Sequence, residues 1–147
     1  MTNLIESTRK GVGALHRYVS LRKKLLGYEK LNFWDLSVPM VKDVEMKFPY
    51  DQACDMAVDS IGILGKEYQE VLRNGLTKDC WVDRYENQGK RSGAYSSGCY
   101  DSVPYILLNY QGMLNDFMTL VHEGGHSMHS YYSNRNQAYH EANYPIF

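Results

Sequence analysis

The segment LVHEGGHSMHSYY, residues 120–132, constrains this chain more than any other stretch. It has the periodicity of an α-helix, in which successive residues are about 100° apart, so His122 and His126 project about 40° from one another on neighbouring turns. Both imidazoles can therefore reach one metal ion. Glu123 lies about 100° round the helix from His122, where it does not easily bind the same ion but can reach a water molecule beside it.

This HExxH spacing is typical of zinc hydrolases. Two neutral imidazoles bind Zn²⁺, and a third ligand with a water molecule completes the tetrahedron. The ion polarises the water, while the glutamate takes its proton and later passes it to the leaving amine. Chance occurrence is the alternative, but an apolar stripe expected about 100° from His122 favours a helix with one packed face and one metal-binding face. The stripe comprises Leu114, Phe117, Val121, Met128 and Tyr132.

Two glycines, Gly124 and Gly125, stand inside this helix, where each costs about 1 kcal/mol relative to alanine. Their presence predicts that another backbone or a substrate approaches the helix closely, and the sequence does not separate a packing reason from a functional one. His129 projects between the metal face and the apolar stripe. It is predicted either to support the metal ligands from behind or to be a half-buried histidine with a packing role.

The chain is predicted to be mainly α-helical, with a small two-stranded antiparallel element before the metal helix. A single fragment of 147 residues is expected, with a helical region over 1–86, the β element within 93–109 and the metal-binding helix over about 111–132. The predicted elements are a helix over 4–26, an extended connector over 31–50, a helix from Asp51 to Arg73 closed by Asn74-Gly75, one or two helical turns between Asp79 and Glu86, and strands 93–98 and 105–109.

Charge and cysteine content indicate a soluble cytoplasmic protein. The formal net charge of −1 gives no reason to expect a nucleic-acid partner or an anionic membrane. The basic cluster Arg22-Lys23-Lys24 is predicted to be the solvated face of a helix. The three cysteines are scattered and odd in number, which favours free thiols, with Cys54 in the core. The first residues lack the apolar run of a secretory signal, and no apolar run is long enough to span a bilayer.

Several motifs occur together in a characteristic order: NQGKRSGAYS at 87–96, ILLNY at 106–110 and TLVHEGGHSMHSYYS at 119–133. With HRYVSLRKKLLG near the start, they resemble oligoendopeptidase F of the thimet-oligopeptidase family of zinc peptidases. The resemblance implies a mainly helical fold with a deep peptide channel, one Zn²⁺ per active site and oligopeptide substrates. It makes His122 and His126 zinc ligands and Glu123 the catalytic base.

The same resemblance places the GAYS segment, Gly93 to Ser96, beside the site as an edge strand, with Gly93, Ala94 and Tyr95 as the expected substrate-binding residues. Such a strand can pair with the backbone of an extended peptide. A strand that only supports the metal helix is the alternative.

The sequence departs from the family at the third zinc ligand, a glutamate on the helix after the motif, whose position falls beyond Phe147. The chain is therefore expected to be an internal fragment of a longer enzyme, inactive or nearly so alone. Glu141, 15 positions after His126, is the one acidic residue that follows the motif and is the alternative ligand. A non-catalytic fragment that binds metal or peptide, and a different zinc hydrolase, are the alternative functions. Such a fragment can self-associate through exposed apolar surface.

Overall fold

The computed structural model describes residues 2–41 and 46–144 as a mainly helical chain with a small three-stranded sheet. This confirms the predicted fold class, although two strands were expected. Contacts divide the chain into two units, residues 1–45 and 46–147. The helices are α1 (Thr2–Leu26), α2 (Tyr50–Ser60), α3 (Lys66–Thr77) and α4 (Leu114–Asn136), and the strands are β1 (Val82–Asp83), β2 (Tyr95–Ser97) and β3 (Tyr105–Leu107).

The first unit contains α1 and a 3₁₀ turn over Phe33–Ser37, within the segment predicted as an extended connector. Residues 42–45 of that connector lie outside the described residues. The Arg22 guanidinium is buried and donates hydrogen bonds to the carbonyls of Asp35 and Val38, so the prediction of a solvated basic face is wrong for Arg22. Among the described residues, no helix has the length and hydropathy that a membrane-spanning segment requires.

The second unit begins with two helices where one was predicted from Asp51 to Arg73. Helix α2 ends at Ser60, a 3₁₀ turn covers Gly62–Leu64, and α3 starts at Lys66. Gly65, between them, has a φ of +96°, a left-handed conformation that glycine adopts without steric cost. The predicted helical stripe therefore ends early, and Leu64 is exposed.

Helix α3 continues through Asn74-Gly75, where the sequence predicted its end. Gly75 is buried against the Trp81 indole: a Cβ at this position would lie 2.3 Å from Cδ2 of the ring. Trp81 itself is 1% exposed. The glycine therefore makes room for a tryptophan instead of closing a helix, and its intrinsic preference for helix ends is overridden by packing.

The segment predicted to add helical turns between Asp79 and Glu86 contains β1 instead. This strand pairs in parallel with β3, and β2 pairs with the other side of β3 in antiparallel orientation, giving the order β1-β3-β2. Strand β1 depends on its pairing with β3, which lies far from it in the sequence. The residues of β1 themselves show no alternation of apolar and polar side chains. Strand β2 is left at the edge of the sheet.

Helix α4 packs on this core through a face that overlaps the predicted stripe in part. Met128 of the stripe is buried, and Phe117 and Tyr132 pack against the core, whereas Leu114 is 49% exposed. Leu120, outside the stripe, is fully buried. The buried positions lie about 140–240° from His122 on the helical wheel, nearly opposite the histidines. The core cluster of the second unit consists of Phe48, Tyr50, Ala53, Cys54, Val58, Leu72, Leu76, Trp81, Ile106, Leu108, Tyr110, Leu120 and Met128.

We expect Gly75→Ala to destabilise the chain by about 2 kcal/mol, because overpacking against the ring exceeds the gain in helix propensity. Gly125→Ala is the matched control, since it is also inside a helix but has nothing within 4 Å of its Cβ position. The control should raise the free energy of unfolding by up to about 1 kcal/mol. Urea unfolding of both variants measures the difference, and equal effects of the two substitutions would contradict the packing account.

Candidate metal centre

The two histidines of α4 converge on one point in space. Their Nε2 atoms lie 3.2 Å apart, and the two rings are nearly perpendicular, with an interplanar angle of 82°. Both side chains are exposed on the face of α4 that points away from the core. The helix places them one turn apart, as the four-residue spacing predicts.

This geometry fits a shared zinc ion. Two nitrogens bound to one tetrahedral zinc at about 2.0–2.1 Å lie about 3.3 Å from each other. The observed Nε2 separation of 3.2 Å is close to that value. In the absence of an ion, one ring can donate its Nε2–H to the other ring at this distance, in the tautomer that places the proton there. With zinc bound, both Nε2 atoms would instead direct their lone pairs toward the ion. The donor set, two borderline nitrogen ligands, suits Zn²⁺.

Glu123 lies between the metal-binding face and the buried face of α4. Its side chain is 8% exposed, so it is among the few charged residues in the buried part of the described chain. Because it is about 100° round the helix from His122, it does not converge with the two imidazoles.

The two motif glycines have different surroundings. A Cβ at Gly124 would lie 3.4 Å from Cδ1 of Leu72, an ordinary van der Waals distance, so an alanine fits between α3 and α4 at this position. Gly125 is exposed and has open space around it, and nothing in the structure explains it. Within the described residues, the close backbone approach predicted from the sequence is therefore not observed at either glycine.

A third ligand does not join the pair within the described residues. In residues 2–41 and 46–144, no group of three or more His, Cys, Asp or Glu side chains is arranged to hold a metal ion. Glu141 lies in a short 3₁₀ turn and is paired with His140 at 3.7 Å. The His129 ring stacks on Tyr144 with centroids 3.8 Å apart.

Strand β2 lies beside α4 and is shorter than the predicted strand 93–98, so it contains only Tyr95 and Ser96 of the GAYS segment. Ser96 Oγ is 2.7 Å from Ser127 Oγ on α4, which joins the strand to the residue after His126. Gly93 precedes the strand with a φ of +93°, and Tyr95 begins it with an exposed side chain. The three residues predicted to contact substrate are therefore at or just before the edge of the sheet.

The register shows which backbone groups of β2 face its free side. Ile106 and Leu108 of β3 donate their N–H groups toward β1, to the carbonyls of Trp81 and Asp83. The alternate residues of β3, Tyr105 and Leu107, therefore bond toward β2, where they face Ser97 and Tyr95.

The backbone N–H and C=O of Ser96 consequently point away from β3, toward the free edge. By the same alternation, those of Ala94 share this direction. The carbonyl of Gly93 points the other way, because it accepts a hydrogen bond from Asn109 Nδ2 at 2.8 Å. The sequence placed Ser96 on the edge strand but singled out only Gly93, Ala94 and Tyr95 as substrate-binding residues, since the direction of each backbone group depends on the pairing of β3 with β1.

Asn109, in the ILLNY motif, holds the segment that precedes β2 through two hydrogen bonds. Its amide donates to the carbonyl of Arg91 at 2.9 Å as well as to that of Gly93. A cavity of about 200 Å³ opens beside it, between the start of β2 and the first turns of α4. Thr119, one turn before His122, lines this cavity together with Ala94 and Asp116. The cavity thus lies between the residues that precede β2 and the first turns of α4.

Two tyrosines near the site belong to the core. Tyr110 donates a hydrogen bond from its hydroxyl to the Phe48 carbonyl, and Tyr50 donates to that of Leu76. Burial raises the pKa of Tyr110 to about 12 and raises the pKa of Tyr50 further. Both hydroxyls therefore stay protonated at neutral pH and act as structural donors.

The chain resembles known peptidases along its whole length. It is 48% identical over 147 residues to an oligoendopeptidase F homolog of Borreliella burgdorferi, covering 99% of this chain and 25% of that protein. It is 48% identical over 145 residues to oligopeptidase PepF of Bacillus subtilis, covering 99% of this chain and 22% of that protein. A crystallised Chlamydophila abortus protein described as a peptidase matches with a TM-score of 0.83 at 48% identity, over 99% of this chain and 24% of that one.

The chain thus spans about a quarter of the length of these relatives. The family model described as peptidase family M3 matches residues 1–147. With a family match over every residue and relatives that are peptidases, the chain belongs to peptidase family M3.

Proposed function

We propose that this chain carries the zinc-binding helix and the peptide-binding strand of a metallopeptidase that hydrolyses short oligopeptides. The observation that supports this most directly is the 3.2 Å separation of the two Nε2 atoms. The names of the relatives, oligoendopeptidase F and oligopeptidase, support oligopeptides as substrates. Three free cysteines fit a reducing compartment, and we place the protein in the cytoplasm.

His122 and His126 would hold Zn²⁺, which as a Lewis acid polarises the scissile carbonyl and lowers the pKa of water. Glu123 would accept the proton of the attacking water and donate it to the leaving amine. The two imidazoles would bind the ion through their Nε2 atoms, which converge in the structure.

The substrate backbone would pair with the free edge of β2. Ala94 and Ser96 offer N–H and C=O groups there, so an extended peptide can add as a further strand. The cavity beside Asn109 and Thr119 would take a substrate side chain near the cleaved bond. Of the residues first expected to bind substrate, Gly93 and Tyr95 would contribute the shape of the strand, and Ala94 its hydrogen bonds.

The proposed zinc ligand pair can be tested in the chain itself. His122→Ala and His126→Ala should each lower zinc affinity by about tenfold or more, because each leaves a single imidazole. Competition with a chromophoric chelator measures the change. His140→Ala is the control, since His140 is 77% exposed and lies outside the pair. Equal affinity in the wild-type chain and His122→Ala would refute a zinc site at the motif.

The catalytic assignment is best tested in a chimaera, in which this chain replaces the matched 145 residues of the Bacillus subtilis oligopeptidase. The chimaera should hydrolyse a fluorogenic oligopeptide. Glu123→Gln should lower kcat by about 10²–10⁴-fold with the zinc content unchanged, because an amide accepts no proton. Glu141→Gln, as the matched control, should keep both. Full activity of Glu123→Gln would remove this residue from the reaction.

The isolated chain is expected to turn over no peptide above background at saturating zinc. Its described residues bring two zinc ligands together, and a catalytic zinc site has three. Turnover by this chain that disappears in Glu123→Gln would show instead that the site is complete, with Glu141 as the first residue to substitute. Peptide or zinc binding without turnover in the chimaera as well would favour the non-catalytic alternative.

A further inference from the structure

A hydrogen bond between two serine hydroxyls connects the edge strand to the metal helix. Ser96 Oγ and Ser127 Oγ are 2.7 Å apart, and Ser127 is fully buried. Ser127 directly follows His126 on α4, and Ser96 is the residue of β2 whose backbone groups face the free edge. Among the described residues, this is the one hydrogen bond between β2 and α4. The backbone hydrogen bonds of the strand go to β3, its neighbour in the sheet.

We propose that Ser96 and Ser127 are positioning residues that set the spacing between a bound peptide and the metal ion. This role rests on the proposed function, because it presumes a peptide on β2 and an ion at His122 and His126. The strand holds the peptide backbone and the helix holds the ion, so the distance between the two determines where the scissile carbonyl lies. Neither serine touches the substrate through its hydroxyl.

The size of the effect follows from the loss of this contact. The alanine methyl carbon is the Cβ that each serine already has, so replacing both serines removes the two oxygens that lie 2.7 Å apart and leaves a gap between strand and helix. The strand then loses the contact that fixes its distance from the helix, and a shift of about 1 Å follows when the gap closes or widens. A displacement of about 1 Å of a reacting group is enough to lower a rate by about 10²-fold, so a contact of this kind can govern activity.

Stability and positioning respond differently to the single and the double alanine variant. Ser96→Ala leaves the buried Ser127 hydroxyl without its partner, which destabilises the fold. The double variant Ser96→Ala/Ser127→Ala removes both hydroxyls and leaves neither one buried without a partner, so its unfolding midpoint should return toward that of the wild-type chain. The distance between β2 and α4 is not restored in the double variant. A ligand that contacts both the strand and the ion should therefore still bind it more weakly.

The test uses the zinc-loaded chain and a ligand that spans both parts of the site. A peptidyl hydroxamate binds the ion through its hydroxamate and can pair its peptide portion with β2, whereas acetohydroxamate binds the ion alone. The ratio of their affinities measures how well strand and ion are aligned. We expect the double variant to lower this ratio by about tenfold, with acetohydroxamate affinity unchanged.

Two further variants serve as controls. Ser97→Ala changes the next residue of the same strand, which is exposed and lies on the opposite face, and should leave the ratio unchanged. Ser96→Thr keeps a hydroxyl and should retain most of the ratio. An unchanged ratio in the double variant overturns the positioning role alone. Equal affinity of the two hydroxamates in the wild-type chain overturns the peptide-binding proposal, and the positioning role with it.

Discussion

The orientation of α4 depends on the contact between its buried face and the core of the second unit. Leu120 is fully buried, Met128 nearly so, and Gly124 faces Leu72 of α3. Since an α-helix repeats about every 3.6 residues, burying this face turns His122 and His126 to the opposite side. Hydrophobic packing thus determines where the imidazoles point, and Glu123 is left at the boundary between the two environments.

The sequence predicted the placement of the two histidines on α4 better than the packing of the helix. The four-residue spacing of the histidines depends only on helix geometry, and the convergence of their Nε2 atoms follows from it. The buried face was only partly predicted, because Leu114 and Val121 were weighted as apolar residues, while Gly124 and Ser127 were not recognised as core positions. Small residues are buried where helices approach closely, and a hydrophobic pattern does not record that approach.

The other incorrect predictions concern positions whose structure depends on contacts with residues distant in the sequence. Gly75 was interpreted as a helix end because glycine is common there, yet its neighbour is the Trp81 ring. Strand β1 has two residues, and its formation depends on β3, more than twenty residues later. That pairing also decides which side of β2 is free, so the role of the Ser96 backbone was not predictable from the GAYS segment alone. The prediction of an edge strand at this segment needed only local β propensity and the motif order.

The free edge of the sheet is short, and its length limits how well β2 can pair with strands of other proteins. Strand β2 has three residues, and at about 3.3 Å per residue it offers about 10 Å of unpaired backbone. Exposed strand edges invite pairing with other chains, and short edges limit how many hydrogen bonds such pairing can form. An edge of this length can pair with a few residues of a flexible peptide. It forms too few backbone hydrogen bonds to hold a long strand of another protein. The feature that would receive a peptide is thus also a protection against sheet-to-sheet aggregation.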